Sequence, residues 1–66
     1  MKILCFTVTH ANLEILMSEQ RLVRLFALED LGRKRDHYEI TALVEDEGVD
    51  RVIQLSVGHP HWVRTG

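Results

Sequence analysis

Five side chains here have the donor chemistry of a transition-metal site: Cys5, His10, His37, His59 and His61. Only Pro60 separates His59 from His61, and residues two apart in an extended segment project to the same side. Two imidazoles do not make a centre, because a structural zinc takes four protein ligands and a catalytic one three plus water. Cys5 and His10 have opposite parity along one extended run, so a strand there sends them to opposite faces. The expectation is a protein without a cofactor. The alternative is a divalent transition metal held by His59 and His61.

Nucleophilic chemistry has two candidates, Cys5 and Ser56. Cys5 lies between Leu4 and Phe6, where a thiol acts as a small hydrophobe. Ser56 has no acidic or histidine neighbour at a telling distance. Phosphate-loop, H-E-x-x-H and C-x-x-C patterns are missing, and four glycines leave little for a phosphate cradle. These residues point away from an enzyme.

Charge concentrates in two places. Glu45, Asp46, Glu47 and Asp50 crowd around Gly48, too tightly for the alternating oxygen donors of a calcium loop. They suit either a solvated turn or a contact for a basic partner. Arg33, Lys34 and Arg35 follow Gly32 and suit the negative end of a helix dipole. No aromatic residue is interleaved with them, and the net charge is −2 with pI near 6.0, which argues against nucleic acid. A basic cluster at one end and an acidic one at the other would let two copies pair antiparallel, basic end to acidic end.

Sixty-six residues make one small domain, which buries only ~60% of its unfolded surface. A single cysteine excludes an internal disulfide, so the remaining helpers are a metal or partner chains. The composition, 45% apolar and 27% charged, is that of a globular protein. No run approaches the ~18 apolar residues of a membrane span. Met1 to His10 lacks the longer apolar stretch and cleavage site of a signal peptide. A cytoplasmic location and no membrane partner are expected.

The elements that would position these groups follow from hydropathy patterning. Lys2 to Thr9 alternates as a strand, with Leu4, Phe6 and Val8 on one side. Asn12 to Leu31 has helix-forming composition, no internal Gly or Pro, a capping Asn12 and a terminating Gly32, which predicts one long helix. At 100° per residue its apolar groups form two stripes. Leu13, Leu16, Met17, Leu28 and Leu31 lie on one side; Ile15, Leu22 and Phe26 lie opposite, with Val23 at the edge. A rival reading splits the segment into strands 12–17 and 21–29 joined by Ser18-Glu19-Gln20.

His37 to Glu45 and Arg51 to Val57 both alternate. With Glu45 facing Asp50, they form a hairpin in which Ala42 faces Ile53, Ile40 faces Leu55 and Tyr38 faces Val57. Residues 58–66 read as a C-terminal tail that Pro60 turns out of the sheet. The expected fold is α+β in the order β-α-β-β, one long helix packed on a small three-stranded sheet. An all-β small barrel is the runner-up.

A sheet shelters one stripe of such a helix, so the second needs a cover. The expected function is a small non-catalytic module that self-associates and binds another protein, as a regulatory subunit or a phage or mobile-element inhibitor. Ile15, Leu22, Val23, Phe26 and Trp62 are its interface candidates. Glu45, Asp46, Glu47, Asp50, Arg33, Lys34 and Arg35 are the candidates for partner binding. A metal-binding module using the His-Pro-His tail is one alternative. A small-ligand-binding homo-oligomer is another, since strand-helix-strand-strand order and chain length are shared with dodecins, without a common residue motif.

Overall fold

The computed structural model describes residues 1–32 and 36–63. Its elements are β1 (Lys2–Thr9), α1 (His10–Ser18), β2 (Leu22–Asp30), β3 (His37–Val44), a 3₁₀ turn (Asp46–Gly48), α2 (Val49–Leu55) and β4 (Ser56–Trp62). The four strands form one sheet in the order β2-β3-β1-β4, with every neighbouring pair antiparallel.

The core starts from the alternation in the two central strands. Leu4, Phe6 and Val8 of β1 lie opposite Ala42, Ile40 and Tyr38 of β3, which puts one apolar row of each on a common face. Leu16 of α1 and Val52 of α2 close over that face. Together with Val44 they complete a cluster in which every member is at most 3% exposed. Leu13, Leu22, Tyr38, Val49 and Leu55 pack around it. Both helices thus lie on one side of a four-stranded sheet. That is the split-βαβ, or ferredoxin-like, plan.

This corrects the expected single long helix on a three-stranded sheet, and equally the all-β barrel. The helix is nine residues long, begins at His10, and has Thr9 as its N-cap, with Thr9 Oγ1 accepting from the Asn12 amide at 3.2 Å. Asn12 lies inside the first turn, and its side-chain amide donates to the Leu55 carbonyl at 3.0 Å, tying α1 to the end of α2. The helix stops without glycine. Gln20 takes a left-handed conformation (φ 57°), while Gln20 N–H donates to Met17 O and Arg21 N–H to Leu16 O. This is the two-bond Schellman closure, usually built on glycine.

Residues 22–30, expected as the second half of the helix, are strand β2. Two register shifts explain the misleading pattern, one between Leu22 and Arg24 and one between Leu25 and Ala27. Each inserts an extra residue, so Leu22, Leu25 and Leu28 all face the core side, opposite Val44, Ala42 and Ile40. Bulges have turned a strand's period of two into a helix-like period of three. Gly32, expected to end a helix, follows the strand instead, its N–H donating to Asp30 Oδ1 at 3.1 Å.

The expected hairpin between His37–Glu45 and Arg51–Val57 also fails in its second arm. Val49, Val52 and Leu55 are spaced three apart and turn inward on α2, while Ile53 is 43% exposed. Gly48 fits closely where the 3₁₀ turn crosses Val44; a Cβ there would lie 3.2 Å from Val44 Cγ1, so a larger residue would require Val44 to give by a few tenths of an ångström. Nor do residues 58–62 leave the sheet. They continue β4, where a step of two residues along β1 (Cys5 to Thr7) is matched by a step of four along β4 (His61 to Val57), with Gly58 at φ 80° inside the longer stretch. With a second helix and a fourth strand, the element order shared with dodecins is lost.

Candidate functional site

The sheet has two outer strands, and they differ. β4 carries Pro60, which cannot donate outward, and its ladder is broken between Val57 and His61. Proline blunts an edge against pairing. An irregular ladder does so too, but β2 has two register shifts of its own, so Pro60 is what sets the β4 edge apart. β2 contains no proline, glycine or lysine over nine residues. Val23, Leu25, Phe26 and Leu28 of this strand are each between 44% and 49% exposed.

These apolar groups lie on both faces of β2. Leu25 and Leu28 follow the core face, but α1 and α2 leave them half bare. Phe26 lies on the other face beside Arg24, whose guanidinium sits 5.4 Å from the ring centroid. A strand apolar on both sides has the composition of a central strand. Here it stands at the rim.

The ionic pattern of β2 is also unbalanced. Glu29 lies directly opposite Glu39 of β3, a like-charge cross-strand pair that destabilises a sheet. Among the described residues, neither carboxylate has an ion-pair partner.

Three of the five expected interface residues share β2, and two lie elsewhere. Val23 and Phe26 are exposed on β2, Leu22 opens that strand half-buried, and Ile15 is 37% exposed on α1. Trp62 is on β4, at the far edge of the sheet, with the Lys2 ammonium 4.0 Å from its ring centroid. Leu25 and Leu28 belong to the bare edge and were not among the expected interface residues, because a helical phase placed Leu28 on the core stripe.

Asp46 faces the N-terminal ammonium at 3.3 Å, and Asp50 lies in the first turn of α2, where negative charge suits the helix dipole. Glu45 and Glu47 border a hollow of about 280 Å³ with Glu19, Gln20, Arg21 and Gly48. Glu19 is held there by a fork from Arg51, with Nε at 2.9 Å and Nη2 at 2.8 Å from its two oxygens, and by Arg21 Nε at 3.2 Å. The Arg51 fork is the main reason its carboxyl is pulled down to about 2; Arg21 adds to it. Arg33, Lys34 and Arg35 lie outside the described residues.

His59 and His61 border a second hollow of about 280 Å³ on the helix-free face, with Cys5, Thr7, Glu39 and Val57. Cys5 is the cross-strand partner of His61. His10 is elsewhere, 3.0 Å from Glu14 and 3.3 Å from the Tyr38 hydroxyl, and His37 pairs with Thr9 in the ladder. No three such donors come close enough together to hold a metal ion among the described residues. None of the described helices is long and apolar enough to cross a membrane.

The architecture defines a small split-βαβ domain with one protected and one bare sheet edge. Compared with family models, curated proteins and solved structures, the chain matches none.

Proposed function

We propose that this chain is a small non-catalytic module that works by binding protein, and that it first binds a second copy of itself along β2. The observation that carries the reading is the nine-residue outer strand with four large apolar side chains half exposed on its two faces. The unpaired backbone groups along such an edge are a ready template for another strand, and its apolar groups lose water-exposed area when a neighbouring strand arrives. A 66-residue core is small, so stabilisation from a partner chain counts for much. The carboxylates at the Glu45–Asp50 end remain available to a basic second partner, which suits a regulatory or inhibitory subunit.

Mass in solution tests the reading. The wild-type chain should have twice the 7.7 kDa of one copy at tens of micromolar. Phe26→Glu should run as a folded monomer, since Phe26 is exposed and contributes little to the core of one copy. A wild-type chain that stays at 7.7 kDa across the concentration range removes the proposal.

A further inference from the structure

The order of side chains along β2 says more than that a copy binds there. Arg24-Leu25-Phe26-Ala27-Leu28-Glu29 is nearly self-complementary when reversed. An antiparallel copy about a two-fold axis between Phe26 and Ala27 sets Arg24 opposite Glu29, Leu25 opposite Leu28, and Phe26 opposite Ala27, each pair occurring twice. The faces agree. Leu25 and Leu28 both follow the core face, while Arg24, Ala27 and Glu29 lie opposite Leu43, Thr41 and Glu39 on the helix-free face. Bulges make this possible, because in a regular strand Leu25 and Leu28 would point to opposite faces.

The geometry points to a two-fold dimer in which β2 pairs antiparallel with β2 of a second copy, held by two reciprocal Arg24–Glu29 ion pairs over a Leu25–Leu28 apolar row. This register rests on the self-association proposed above. It also answers the like-charge contact within one copy, since Glu29 faces Glu39 and the partner's cation would arrive beside them. The resulting sheet has eight strands and ends on β4 at both sides. A two-fold contact uses up both β2 edges, and Pro60 on each outer β4 opposes further growth, so the assembly closes at two, as an isologous interface does.

A charge exchange tests the register. Arg24→Glu and Glu29→Arg should each weaken dimerisation roughly tenfold or more, because two attractive pairs become two repulsive ones. An equimolar mixture of the two variants should recover the dimer, as should the double variant Arg24→Glu/Glu29→Arg. Circular dichroism on each single variant checks that it is folded, and sedimentation at low salt reads the mass. Mixing is the decisive arm, since it changes nothing within either chain. A wild-type dimer with single variants that associate equally well overturns the register and leaves self-association standing. So does a mixture that stays monomeric. A wild-type monomer at every concentration overturns both.

Discussion

Among the described residues, Glu19 is a carboxylate whose acidity folding changes markedly. Its two oxygens take the Arg51 fork, and Arg21 adds a third contact, so the carboxylate is favoured over the acid. Folding lowers its pKa from 4.5 to about 2. Arg51 is shifted upward by the same contact. A depressed carboxyl adds stability that is complete above pH 4.5 and disappears as the pH falls toward 2. Both side chains are about a third exposed, so solvent screens the pair and the effect is modest. Denaturant titrations from pH 6 to pH 2 should show wild type losing more stability than Glu19→Gln. Parallel curves would mean that the fork does not hold α1 to α2. Nothing in the sequence marks this pair, because Glu19 and Arg51 are 32 residues apart and meet only through the fold.

At the scale of elements, legibility followed regularity. β1 and β3 were readable because their alternation is unbroken, Leu4, Phe6 and Val8 against Ile40, Ala42 and Val44. β2 was not, because its bulges space Leu22, Leu25 and Leu28 like one side of a helix. α2 was obscured by the opposite accident, where Ile53, Leu55 and Val57 alternate although Val52 is the buried residue. The end of α1 carried no glycine to read. Gln20 occupies the left-handed position there, which costs an L-residue ~1–2 kcal/mol and glycine little. Gln20→Gly should therefore raise the unfolding free energy by up to ~1 kcal/mol, after allowing for glycine's freer unfolded chain. Thermal melts decide it, and an unchanged or lowered midpoint would show that the strained closure is not limiting. A sequence reader looking for glycine passes over this stop and runs the helix into the strand.

At the scale of the whole molecule, the proposed pairing of β2 with a second copy would make stability a function of concentration. The expectation of self-association arose from two apolar stripes on a helix; of the residues in them, only Leu22, Val23, Phe26 and Leu28 lie on the outer strand, while Leu13, Ile15, Leu16 and Met17 belong to α1. If β2 edges join two copies, unfolding separates them, and mass action raises the melting temperature as protein is added. For two 66-residue chains the unfolding entropy is large enough that each tenfold rise in concentration should add roughly 5 °C. Phe26→Glu should melt at one temperature throughout, below wild type at high concentration and converging with it on dilution. Calorimetry from about ten micromolar to about one millimolar spans the range. A wild-type midpoint that ignores concentration would mean that the folded unit is the single chain, and that half-exposed Leu25, Phe26 and Leu28 are tolerated at a free edge.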